Sequence, residues 1–306
     1  MKITLPDILL LTDKFSEQNL IPFGGCGYSE VYKAELDHFN NIEWKNKDEL
    51  LKRHSTVAIK RINRENQQRE KGFLLEVETL RNCTHSNIVS LFGFCDEGGE
   101  MIVVLEYASN GSLDDYLRDN DKMTNLTWTQ RIQICCGIAH GLKYLHTKNV
   151  IHGDIRSSNI LLNDKMVAKI AHFGNRAYRH PNSIHNVYTD PESIYLKEES
   201  DIYSFGVVLF EIMCGTLDCP PITTGKHFLD GTLKQIIDPR MRADDGNHLM
   251  LKGGLNQASL NTFSIIASQC LKKSSWQRPS IEGVIRELDK AYHFQVSNLF
   301  KYSLGF

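Results

Sequence analysis

The 306-residue sequence lacks any C-x-x-C pair, its eight cysteines (26, 83, 95, 135, 136, 214, 219 and 270) being scattered through apolar or mixed stretches. Neither a zinc ribbon nor a disulfide framework is thereby indicated, and a reducing compartment is expected. An excess of charge of one sign is missing too: 35 Lys and Arg face 37 Asp and Glu, for a net charge of -2. No bulk attraction to nucleic acid or to an anionic membrane follows. Nor is there an apolar run long enough to span a bilayer. The Leu-rich start, MKITLPDILLLTDKFSEQ, is broken by Asp7 and Asp13 and reads poorly as a signal peptide. Lys2 stands where N-myristoylation requires Gly. Internal repeats and low-complexity tracts are absent. A soluble, intracellular chain is the expectation, and 41% hydrophobic content suffices for a substantial core.

What is present changes character near residue 108, which suggests two lobes. Before it, SEVYKAEL, STVAIKRI, IVSLFGFC and MIVVLEY are short runs rich in β-branched and aromatic residues, as strands need. One helix is predicted among them, between Asn66 and Cys83, where Phe73, Val77 and Leu80 recur at helical spacing. Glu76 lies on the same stripe, and a carboxylate facing inward wants a cation. After residue 108, Trp128, Ile132, Cys135, Ala139, Leu142 and Leu145 mark one long helix. SFGVVLFEIMC, residues 204–214, is apolar nearly all round, the pattern of a helix buried through a lobe. A third helix is predicted from about Ser280 to Tyr292, after Arg278-Pro279. Two polar stretches, 40–55 and 242–257, read as surface insertions. The apolar tail, 294–306, has no polar rhythm; it either packs back or binds a partner.

The segment T-V-A-I-K (56–60) is followed in order by the Glu76 helix, H-G-D-I-R-S-S-N-I-L-L (152–162), H-F-G (172–174), D-P-E (190–192), S-D-I-Y-S-F-G-V-V (200–208) and R-P-S (278–280). V-A-I-K alone is a weak match; the ordered set resembles a protein kinase, and with N-G-S-L (110–113) it looks most like plant receptor-like and receptor-like cytoplasmic kinases. The resemblance implies an α+β, bilobal protein-kinase-like fold. It comprises a lead-in (1–19) and a kinase domain (20–293) ahead of the tail (294–306). Within the domain a small β-rich N-lobe with one main helix occupies about 20–107 and a larger helical C-lobe about 108–293.

It further implies that ATP is the ligand and assigns its contacts. Lys60 meets the phosphates and pairs with Glu76; Leu105 is the gatekeeper; Glu106, Tyr107 and Ala108 form the hinge; Val31, Ala58 and Leu161 sandwich the adenine. Asp154 is the catalytic-loop base, and Asn159 offers its amide oxygen to Mg²⁺. Leu80, His152 and Phe173 are stacked positions with Asp201 beneath them, and Glu192 is expected to pair with Arg278 in the C-lobe.

Departures from the family pattern gather on the phosphate and metal side. The glycine-loop positions fall on Gly24, Cys26 and Ser29, of which one is glycine; a register shifted by two uses Pro22, Gly24 and Gly27, and neither is intact. His172 replaces the aspartate that chelates Mg²⁺, exchanging a charged oxygen donor for an imidazole nitrogen. Gly153 stands where an Arg orders a phosphorylated activation loop, and Arg156 replaces the catalytic-loop Lys. Ile184-His185 replaces a Gly-Thr pair, in a short segment made basic by Arg176, Arg179 and His180. His152 and His172 lack further ligands at zinc spacing. The favoured expectation is a pseudokinase that binds ATP weakly and independently of Mg²⁺. It would act as a scaffold on an active kinase or receptor complex, in the cytoplasm and recruited to the plasma membrane by that partner. The alternatives are a weakly active Ser/Thr kinase using Asp154, Lys60 and Asn159, and an adaptor or decoy without nucleotide.

Overall fold

Runs that alternate β-branched with polar side chains form four antiparallel strands: β1 (Ser29–Asp37), β2 (His54–Ile62), β3 (Leu91–Cys95) and β4 (Met101–Glu106), in the order β1-β2-β4-β3. In this computed structural model the described residues are 1–21, 29–37, 54–63, 67–174, 187–192, 195–217, 236–241 and 255–303. They divide into two compact units. The first draws on residues 1–84, 89–109 and 173–178, the second on 85–88, 110–172 and 179–306.

In the first unit the period-two alternation of strands decides which residues face inward. Val57 and Ile59 on β2 are fully buried with Ile102 and Val104 on β4, whereas Ala58 and Lys60 take the opposite face. Helix α2 (Gln67–Asn82) falls where the apolar stripe predicts it and buries Phe73, Glu76, Val77 and Leu80. The lead-in belongs to this core. Main-chain bonds join Ile3 N to Phe94 O (2.9 Å) and Phe94 N to Met1 O (2.9 Å), adding a parallel bridge at β3. Gly93 makes room for it, because a Cβ there would lie 2.6 Å from Ile3 Cδ1. Helix α1 (Leu5–Leu11), capped by the Thr4 side chain, then buries Ile8 against the same sheet.

The second unit is mainly helical. Short helices α3 (Leu113–Arg118) and α4 (Asn120–Thr124) precede α5 (Trp128–Thr147), which opens on a capping box between Thr127 and Gln130. A hairpin of β5 (Ile160–Leu162) and β6 (Ala168–Ile170) follows, then α6 (Glu198–Cys214), α7 (Gln257–Cys270) and α8 (Ile281–Ser303). Helix α6 begins six residues before the apolar run that announces it, and fifteen of its residues are buried. It ends at Gly215, whose φ of 68° is the left-handed cap that glycine adopts freely.

Two expectations need correction. Helix α8 does not stop near Tyr292 but continues to Ser303, and Gln295 within the extension is buried, its Oε1 accepting from Asn256 N at 2.9 Å. The buried partner of Arg278 is not Glu192. Arg278 forms a two-pronged contact with Asp190, 2.8 and 2.7 Å, with side chains 0% and 2% exposed. Glu192, two residues further, points outward and accepts from Ser274 Oγ and Ser275 N. A rigid guanidinium fork takes the carboxylate the turn places inside, and Glu192 N itself donates to Asp190 Oδ1.

A second buried pair has no counterpart in the sequence reading. Arg131 on α5 and Asp238 are both 0% exposed and 2.7 Å apart. Arg131 also donates to the carbonyls of Leu126, Met123 and Ile212. Burial lowers the Arg131 pKa against the opposing pull of Asp238. Burial pushes Asp238 up, but hydrogen bonds from Arg240 and the charge of Arg131 win and hold it below the usual range.

Candidate nucleotide and catalytic-loop residues

In the first unit, Lys60 is positioned by β2 and Glu76 by α2. Lys60 Nζ donates to Glu76 Oε2 at 2.7 Å, with side chains 9% and 1% exposed. The inward carboxylate thus has its cation, while Glu76 Oε1 is buried without a hydrogen-bond partner among the described residues. Strand register sets Lys60 beside Val31 and Val103, and Ala58 beside Lys33 and Leu105. Glu106 closes β4, with Tyr107 and Ala108 following it, and the Lys33 ammonium sits over the Tyr107 ring at 5.1 Å. Ser29 is the first residue of β1; Pro22, Gly24, Cys26 and Gly27 lie outside the described residues.

In the second unit the catalytic-loop residues meet around Asp154. Asn159 Nδ2 donates to Asp154 O (2.7 Å) and to Asp154 Oδ2 (2.9 Å). Arg156 Nε stands 3.0 Å from Asp154 Oδ1, its N–H turned off the line to the oxygen, so the contact is one of charge rather than an aligned hydrogen bond. The same guanidinium lies over the Tyr188 ring at 5.3 Å. Tyr188 Oη and Ser157 Oγ both donate to the fully buried Glu211, each at 2.5 Å. Burial, reinforced by that carboxylate, pushes the Tyr188 phenol far up, so it stays a donor.

The loop itself is held through its main chain. Asp201, 0% exposed on α6, accepts from His152 N (2.9 Å) and Gly153 N (2.7 Å) and contacts His146 Nε2 at 3.0 Å. Asp154 N donates to His152 Nδ1 while His152 Nε2 faces Ala171 O at 3.0 Å, which assigns the proton of the neutral ring to Nε2. Gly153 takes φ 75°. Leu161 sits mid-β5, opposite Lys169.

His172 follows β6. Because Ile160 pairs with Ile170 and Ala171 N donates to Asn159 O at 3.0 Å, the hairpin brings Asn159 and His172 to one end. His172 is 9% exposed and held at φ 69°, a left-handed backbone that Asp, Asn and His tolerate better than most residues. The donor set fails to fit Mg²⁺. Asn159 brings one neutral amide oxygen, and His172 brings nitrogen where a hard cation wants charged oxygen. Among the described residues no three His, Cys, Asp or Glu side chains converge as a metal cluster, and no helix is long and apolar enough to cross a membrane. Leu80 and Phe173 are buried in the first unit and His152 in the second. The activation-segment residues 175–186, including Ile184 and His185, lie outside the described residues, as do most of the two insertions.

Residues 20–288 match the family described as protein tyrosine and serine/threonine kinase. The chain belongs to the protein kinase family, in its receptor-like kinase group. It is 35% identical to the receptor-like protein kinase ANXUR2 of Arabidopsis thaliana over 96% of its own length and 34% of that protein's. Against THESEUS 1 and HERK 1 of the same plant it is again 35% identical, over 94% and 93% of the chain and 34% of each relative. The kinase domain thus spans about a third of the length of the curated relatives it matches.

Proposed function

We propose that this receptor-like kinase domain is a pseudokinase: a scaffold or regulator that docks onto an active kinase or receptor complex and transfers phosphate poorly or not at all. The observation that carries the reading is His172 at the position of the metal-chelating aspartate, beside an Asn159 whose amide nitrogen is committed to Asp154. Phosphoryl transfer depends on positioning and charge neutralisation, so a donor set unsuited to Mg²⁺ removes a dominant contribution. ATP remains the proposed ligand, held by the apolar positions Val31, Ala58 and Leu161 and by Lys60, without a requirement for metal. Docking on such a partner places the domain in the cytoplasm, brought to the plasma membrane by that partner.

One observation favours a second reading, a slow Ser/Thr kinase: Asp154 and Asn159 keep a hydrogen-bonded geometry around the candidate base. The discriminating experiment measures thermal stability with ATP alone and with ATP plus Mg²⁺, alongside phosphate-label transfer by wild type and Asp154→Asn. ATP at 100 times its Kd adds about 2.7 kcal/mol of stability. A shift with ATP that Mg²⁺ does not enlarge, and no transfer above background, is expected. Transfer that vanishes in Asp154→Asn overturns the pseudokinase reading, and no shift with either mixture leaves an adaptor without nucleotide. His172→Asp is expected to introduce dependence on Mg²⁺.

A further inference from the structure

Trp276 exposes 80% of its surface in the turn Ser275–Gln277 between α7 and α8, an indole that no packing requirement explains. It borders a cavity of about 370 Å³ in the second unit, lined also by Lys143, His146, Glu198, Glu199 and Glu282. That volume suits a side chain or small ligand. Three carboxylates face the cations Lys143 and Arg278, and Arg278 is already taken up by Asp190 and by the carbonyls of Lys272, Lys273 and Glu199. Glu198 and Glu199 stand in the first turn of α6 and Glu282 in that of α8.

An acidic rim alone can be a solvated surface. The independent observation is His146, whose side chain is 4% exposed. Its Nε2 faces Asp201, an acceptor already receiving two main-chain N–H groups, so Nε2 is the donor nitrogen. In the neutral ring Nδ1 is then an acceptor. It is buried without a hydrogen-bond partner among the described residues and lies 3.9 Å from Glu198 Oε2. A buried lone pair beside a carboxylate calls for a donor. The cavity therefore offers several acceptors and one aromatic face, more acceptors than the Lys143 ammonium on its lining can serve.

We propose that this cavity receives an arginine side chain of a protein partner. A guanidinium carries five N–H donors in a planar fork, enough to serve the His146 Nδ1 and the glutamates together, and it stacks on indole. The site is independent of the nucleotide question: none of its residues is assigned to ATP, and its test contains no ATP.

The test follows the indole N–H resonance of Trp276, assigned through Trp276→Phe, in the full chain titrated with an acetylated Gly-Arg-Gly-Arg-Gly amide and with its Glu counterpart. A saturable shift with the arginine peptide and none with the glutamate peptide is expected. Glu198→Gln/Glu282→Gln should bind roughly ten-fold more weakly at unchanged Tm, as lost charge-assisted contacts require. The proposal is overturned by an unmoved Trp276 resonance, by an equal response to the glutamate peptide, or by undiminished affinity in the double variant. Both glutamates are exposed, so the variants fold; Trp276→Ala, also at an exposed position, removes the indole resonance and is read instead by titration calorimetry with the same arginine peptide, with the same expected weakening.

Discussion

Gly153 shows how one residue's backbone bears on chemistry. At φ 75° it occupies a region where an L side chain is strained, and glycine removes that strain while also removing the guanidinium the family pattern puts there. Gly153→Ala is expected to cost about 1–2 kcal/mol, read as a lower urea midpoint at unchanged slope. An unmoved midpoint means the loop relaxes to another conformation. His172 tolerates its left-handed backbone, and Asp does too, so the restoring substitution His172→Asp tests donor chemistry without a backbone penalty. At this scale the sequence was legible where a stripe or motif fixed direction. Glu76 shares the helical stripe of Phe73, Val77 and Leu80, so its inward orientation and its need for a cation could be read, and the resemblance to a kinase pointed to Lys60 as that cation. The Arg278 partner could not, because Asp190 and Glu192 are both acidic and only the turn decides which is buried.

Among elements, the lead-in was the least legible. A short Leu-rich run broken by acids carries no strong period, and nothing in it reveals that Met1–Ile3 pairs with β3 or that Ile8 enters the sheet's core. Helix α1 is too short to persist alone, so tertiary burial holds it. Ile8→Ala, emptying a fully buried site, is expected to destabilise the domain by about 2–5 kcal/mol in equilibrium unfolding. A change near zero would show the segment detached in solution. The strands and α2, by contrast, follow from periodicity within a residue or two, except that β3 begins at Leu91 rather than Ile88. Extension of α8 beyond Tyr292 escaped the reading because contacts such as Gln295 with Asn256 come from another helix's start.

For the whole molecule, the near-balance of charge hides two committed acids. Hydrogen bonds and charge from Arg278, and from Arg240 and Arg131, overcome the opposing effect of burial and depress the pKa of Asp190 and Asp238. A depressed folded-state pKa contributes stability that is present above the unfolded value, near 3.9 for Asp, and is lost as pH falls through the lower folded value. Tm is therefore expected to fall below about pH 4, and Asp190→Asn should flatten that dependence. At neutral pH the same variant, leaving Arg278 buried without its counter-charge, should lose about 3–5 kcal/mol. An unchanged pH profile in Asp190→Asn would reject Asp190 as the acid-sensitive group. The bilobal class was readable from the order of motifs. The Arg131–Asp238 pair was not, since no local pattern links residues more than a hundred positions apart.

The grip of Asp201 on the catalytic loop has one more consequence. It holds His152 and Gly153 by their peptide N–H groups, which every residue but proline possesses. The side chain at 156 is consequently exchangeable, Lys for Arg, without the chain losing its path, whereas at 153 the left-handed backbone still favours glycine. A loop anchored in this way keeps its path through groups that substitution of its side chains does not remove.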